Sequence, residues 1–190
     1  MDETLATGQA AATAAVTAAT RDWLDKAVIG LNLCPFAKAV QTRGQVRYAV
    51  SDASHIDALC ESLESELRLL AAADAEQIDT TLLIVPGMLA DFLDFNDFLD
   101  IADRILEELE LEGVLQIASF HPDYQFEGTA ADDVENCSNR SPYPTLHLLR
   151  EASIERAVAA YPDAADIYER NIETLRRLGA AGWQALWKAS

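Results

Sequence analysis

Positive charge is scarce in this chain. Its 190 residues carry 14 Lys and Arg against 32 Asp and Glu, a formal net charge of −18 at pH 7. Nucleic acid is not an expected partner, because binding it requires cations that replace phosphate counterions. An anionic membrane surface is not expected either. Long apolar runs are missing, and none approaches the roughly 20 residues needed to span a bilayer. The start, Met1-Asp2-Glu3, lacks a basic n-region and a Leu-rich h-region, so no secretory signal is expected. Cysteines are few, and Cys34, Cys60 and Cys137 form no CxxC pair. An odd, scattered set suits free thiols in a reducing compartment, so a cytoplasmic protein is expected. There is no Walker loop, GxGxxG turn, GxSxG elbow or kinase set, which removes support for the chemistries those devices perform.

Apolar residues make up 50% of the chain. That proportion and this length suit one domain with a sizeable core. Residues 1–20 are dominated by Ala and Thr and read as a poorly ordered or frayed helical N-terminus. Residues 21–190 read as a single α/β domain. Val16, Ala19, Trp23 and Ala27 recur at helical spacing up to Gly30. Strands are expected at Gln45–Val50, Thr80–Val85, Val114–Phe120 and Thr145–Arg150.

Between the strands, Ser54 caps a helix with the stripe Ile56, Leu59, Cys60, Leu63, Leu67 and Leu70. Asp94 or Asn96 starts another with the stripe Phe95, Leu99, Ala102, Leu106 and Leu109, stopped by Gly113. Alternation of strands with helices implies right-handed crossovers and a mostly parallel sheet of about four strands. Extra C-terminal helices are expected at Ser153–Tyr161, ended by Pro162, and at Ala164–Leu178, stopped at Gly179. An apolar tail, Trp183–Trp187, docks back on the body.

In open parallel sheets, sites form beyond the carboxyl ends of the strands. Those ends are Ser51-Asp52, Pro86-Gly87 and His121-Pro122. The long connection His121–Pro144 is rich in polar groups, and Ser141-Pro142-Tyr143-Pro144 stiffens it. Long ordered loops of this kind are commonly functional; the plainer reading is a proline-routed surface connection. Pro35 suits a first helical position and places Cys34 at the N-cap of a short helix to about Val40. A thiol there is stabilised as thiolate by free backbone N–H groups; the alternative is a cysteine acting as a small hydrophobe. Cys60 lies on an apolar stripe and reads as core. His147 sits between core leucines, facing away from them, and suits a hydrogen-bonded structural role as well as a binding one. His55 reads as a surface residue.

These residues define the expected site. Cys34 is the nucleophile or redox thiol, His121 its base, and Asp123 or Asn139 the orienting group. Arg140 grips an anionic group with its paired donors, with Asn139, Ser141, Tyr143 and His147 also in the binding set. A metal site using His121 and Asp123, with Cys137 or His147, is a weaker alternative, because no specific ligand spacing supports it. The series Asp91, Asp94, Asp97, Asp100 and Asp103 drifts around its helix and reads as a solvated face.

Three blocks carry a resemblance: Leu31-Asn32-Leu33-Cys34-Pro35-Phe36-Ala37, Ser119-Phe120-His121-Pro122-Asp123-Tyr124-Gln125-Phe126, and Asn139-Arg140-Ser141-Pro142-Tyr143-Pro144 running on through Leu146-His147-Leu148-Leu149-Arg150-Glu151. Over about Trp23 to Leu178 the chain resembles a bacterial family described only as a domain of unknown function. The resemblance implies a bacterial cytoplasmic protein and supplies no activity, cofactor or catalytic residue.

The leading expectation is therefore a small-molecule enzyme with a Cys/His site acting on an anionic substrate. The alternatives are a metal-dependent enzyme or metal-binding protein, and a non-catalytic binding module. The sequence specifies neither cofactor nor oligomeric state.

Overall fold

The computed structural model describes residues 2–161 and 166–188, with side chains from residue 7 onward. Helix α1 spans Asp2–Trp23 and passes into a π-helical stretch, Leu24–Ile29. A short helix α2 follows at Ala37–Thr42, then strand β1 at Val46–Val50, helix α3 at Ile56–Ala72 and strand β2 at Thr80–Ile84. Helix α4 spans Phe92–Glu108 and leads to strand β3 at Leu115–Phe120. A 3-10 turn, Val134–Asn139, lies in the connection to strand β4 at Thr145–Arg150. Helices α5, Glu151–Ala159, and α6, Ile167–Ala185, complete the chain. Each strand lies where the sequence places it, to within a residue at either end.

The sheet order is β1-β2-β4-β3. β1 and β2 are parallel, but β4 runs antiparallel to both β2 and β3. The sheet is thus mixed, not mostly parallel. The reason lies in the connections. α3 and α4 carry the chain back before β2 and β3, whereas the segment after β3 contains only a 3-10 turn and re-enters the sheet from the edge it left. Such a connection joins antiparallel strands. The carboxyl ends of β1, β2 and β3 still share one edge, where β4 begins.

Helix stripes fix which face each element covers. Leu59, Leu63, Leu67 and Leu70 of α3 and Phe95, Phe98, Ala102 and Leu106 of α4 are buried against one sheet face, with Leu83, Leu146 and Leu148. Phe98 belongs to the stripe, whereas Ile56 is 39% exposed at its end. Trp23, Leu24, Ala27 and Val28 pack on the opposite face, against Leu82 and Ile84. β2, between β1 and β4, is buried along its whole length, as a strand covered on both faces must be.

The caps differ from the sequence reading. His55, not Ser54, caps α3: its Nδ1 accepts the Ala58 N–H at 3.2 Å. Asp91 caps α4, its Oδ1 accepting from Leu93 N at 2.8 Å and Asp94 N at 3.3 Å. A carboxylate satisfies the free amides and the positive helix end together. At the other end of α3, the Arg150 guanidinium donates to the carbonyls of Leu70, Ala73 and Ile78. That ties β4 to the α3 terminus.

α6 is two helical pieces that meet at Gly179, whose φ of 67° and ψ of 170° are non-helical, so the first piece stops at this glycine as its position predicts. Beyond it, Trp183 and Leu186 pack against the α1-face cluster, as the apolar tail predicts. The expected helix start at Ala164 and the terminator Pro162 lie outside the described residues. Among the described residues no helix is long and apolar enough to cross a membrane.

Thr81 Oγ1 is buried without a hydrogen-bond partner among the described residues. Thr81→Val removes an unsatisfied hydroxyl while keeping the branched shape. Urea unfolding should show it stabilised by about 1 kcal/mol; a loss of stability would mean that the hydroxyl is satisfied in solution.

Candidate functional site

His121 is fully buried at the end of β3. Its Nε2 lies 3.0 Å from the Leu89 carbonyl, and its Nδ1 accepts the Asp123 N–H at 3.0 Å. A carbonyl accepts only, so the proton is on Nε2 and the Nδ1 lone pair is taken up by the amide. The ring packs between Phe92 and Phe95 of α4, at centroid distances of 5.4 and 5.1 Å. Neither nitrogen is left for a substrate. The exposed Asp123 meets His121 through its backbone amide.

Cys34 lies on the other side of the sheet. It packs against the cluster of Trp23, Ala27 and Val28. The N-cap of α2 is Phe36, not Cys34. Backbone amides of Phe36 and Ala37 do reach the thiol and favour thiolate, but burial is the larger effect and pushes the Cys34 pKa up. Burial also raises the thiols of Cys60 and Cys137. Burial thus works against a thiolate at Cys34, and the thiol and His121 lie against opposite faces of the sheet.

The remaining loop residues hold the loop to itself and to the body. Asn136 is fully buried: its Oδ1 accepts from Phe126 N and Thr129 Oγ1, and its Nδ2 donates to Ala130 O. Arg140 donates to the carbonyls of Tyr124 and Ala131, at 3.2 and 2.6 Å, and its own carbonyl accepts Trp23 Nε1–H at 2.7 Å. Asn139 bonds β3 twice, through Nδ2 to Ser119 O at 3.3 Å and through its carbonyl from His121 N at 3.1 Å. Ser141 Oγ and Thr145 Oγ1 both donate to Tyr143 O. The Tyr143 ring packs against the α1-face cluster.

His147 faces away from Leu146 and Leu148, as alternation requires. Thr80 Oγ1 donates to Leu148 O at 2.7 Å and therefore accepts from His147 Nε2–H at 2.8 Å. The ring surface is partly exposed, but protein surrounds it densely, and desolvation lowers the His147 pKa to about 4. Among the described residues no three His, Cys, Asp or Glu side chains group as metal ligands. Cys137 is buried with Leu33 and Leu175 in a small separate cluster.

A different place at the working edge is open. A shallow depression of about 420 Å3, open to solvent, lies between the start of α3, the segment after β2 and the first turns of α4. Ile56, Met88, Leu89, Phe98 and Ile101 form an apolar floor, and Asp94 and Asp97 line one wall. Leu89 has φ 56°, a left-handed conformation that a branched side chain adopts only under constraint. Its carbonyl accepts from His121 Nε2–H. Sequence reasoning marked Pro86-Gly87 as a strand end but passed over the residues after it. It read Asp94 and Asp97 only as a solvated face; both are exposed, yet they also line this groove. A second, polar cavity of about 380 Å3 beside β1 includes Arg21 and Arg47. Arg47 is neutralised by two bonds to Glu66, at 2.7 and 2.8 Å, and the Arg21 guanidinium sits 4.7 Å from the Tyr48 ring centroid.

Two outcomes follow from the titrating groups. The folded His147 pKa lies below the ordinary 6.5, so the unfolded chain binds the extra proton between pH 6.5 and 4. Its contribution to stability is complete above pH 6.5 and is lost as pH falls towards 4. The loss is about 1–3 kcal/mol after allowing for solvent screening. In denaturant titrations His147→Gln should lose correspondingly less stability than the parent between pH 7 and pH 4.5; equal losses would refute the desolvated ring. Cys34 should be alkylated by iodoacetamide at pH 7.5 at least about five-fold more slowly than a free cysteine peptide. Faster labelling, read by peptide mass spectrometry, would restore the activated thiol.

The model of the family "Protein of unknown function (DUF1415)" matches residues 15–185. No curated protein and no solved structure matches the chain. With nearly its whole length covered by that model, the chain belongs to the DUF1415 family of proteins of unknown function.

Proposed function

We propose that this protein is a non-catalytic binding module whose ligand site is the groove between α3, α4 and the segment after β2. The observation that carries the reading is the double engagement of His121. The most chemically suggestive side chain of the loop gives one nitrogen to Leu89 and the other to Asp123. It acts as a positioning residue that holds the backbone of the left-handed Leu89, which lines the groove. Non-glycine residues held in that region tend to occur at ligand sites. The cavity volume lies within the usual range for small-molecule sites of roughly 300–1,000 Å3. Its position at the carboxyl edge of β2 agrees with where open α/β sheets bind ligands. Against the Cys/His enzyme reading stand the opposite sheet faces of Cys34 and His121 and the engaged donors of Arg140.

Methyl-resolved NMR with a library of apolar fragments tests the reading. Shifts should cluster at Ile56, Met88, Leu89 and Ile101. Ile101→Trp, which fills the groove, should abolish them, whereas Cys34→Ala should leave them unchanged. Absence of any shift at these methyls, or binding lost in Cys34→Ala and retained in Ile101→Trp, would overturn it.

A further inference from the structure

Resting on the groove as the binding site, we propose that its ligand is a small organic cation: a primary ammonium head on an aliphatic chain. The floor is apolar, so an alkyl tail laid on Met88, Leu89, Ile56 and Ile101 leaves water with favourable free energy. The wall determines the head group. Asp94 and Asp97 stand three residues apart on α4, so they are neighbours on one helix face. Among the described residues neither carboxylate takes part in an ion pair. No Lys or Arg lines the cavity.

An anionic ligand would meet two carboxylates that no ion pair engages among the described residues, and a neutral one could gain at most a hydrogen bond from them. A cation gains from both, and partial burial against the apolar floor strengthens that attraction beyond its value in open water. The excess of acidic residues over the whole chain adds a long-range field that attracts cations. The small volume favours a free amine over a protein segment, which would need a longer groove.

Three probes with one tail length separate charge from hydrophobicity: n-octylammonium, n-octanol and octanoate. They are titrated below their aggregation concentrations into the full chain and followed by calorimetry and by the groove methyl resonances. At low salt, octylammonium should bind at least about ten-fold more tightly than octanoate, with octanol between them. In the Asp94→Asn/Asp97→Asn double variant the three affinities should converge to within about two-fold, and about 1 M NaCl should shrink the preference in the parent. Both positions are exposed, so the variant is expected to fold, and its amide spectrum verifies this directly.

Equal binding of the three probes in the groove would overturn the cation assignment while leaving the groove as the site. No shift at the groove methyls with any probe would remove the site itself. A charge preference that survives in the double variant would show that other groups select the ligand and would overturn the assignment. Tighter binding of an acetylated Leu/Lys peptide than of octylammonium would overturn the free amine in favour of a protein partner.

Discussion

The direction of β4 governs most of what surrounds it. A strand inserted antiparallel between β2 and β3 must enter at the edge where β3 ends. The connection from His121 to Pro144 therefore begins and finishes at one end of the sheet, and its polar atoms must be satisfied nearby. Asn136, Arg140, Ser141 and Asn139 do this, each bonded to backbone within the loop or at its margins. A polar, proline-rich segment of this length looks like a catalytic loop from its composition. Here the same composition is what an ordered, self-closing connection requires.

Strands and helices were legible because their signals are local. An alternating run marks β1, a continuous β-branched and apolar run marks β2, and the α3 stripe of Leu59, Leu63, Leu67 and Leu70 appears without any tertiary information. The orientation of β4 is not local. Nothing within Thr145–Arg150 distinguishes a parallel from an antiparallel neighbour. The deciding fact is the lack of a full crossover helix in the preceding segment. The site was harder still. Cys34 has amides near its sulfur, as its neighbour Pro35 suggests, but the burial that outweighs them comes from Trp23 and the other residues packed around it. Likewise His121 is where the strand-end rule puts it, yet its partner Leu89 is 32 residues earlier. The groove residues Met88 and Leu89 carry no reactive group, so a search for reactive side chains passes over them.

The groove and the loop are mechanically one unit. His121 joins the turn after β3 to the segment after β2, and its ring is held between two phenylalanines of α4. Two of the three elements that bound the groove, α4 and the segment after β2, thus meet on one imidazole. Arg150 performs a comparable service at the opposite end of the sheet, where it gathers three carbonyls around the end of α3. Buried donors with several backbone acceptors fix element ends more sharply than apolar packing alone.

Asn139 has a meaning beyond the loop. The Val114 carbonyl faces β4, since it accepts from Glu151 N, and strand parity turns Ser119 and His121 the other way. The two bonds from Asn139 therefore fall on the outer edge of β3. A single residue occupies the positions where the first rungs of a foreign strand would form. Open strand edges invite pairing with other chains, and this side chain blocks one end of that template. The same loop that arranges the interior also acts as a guard against aggregation.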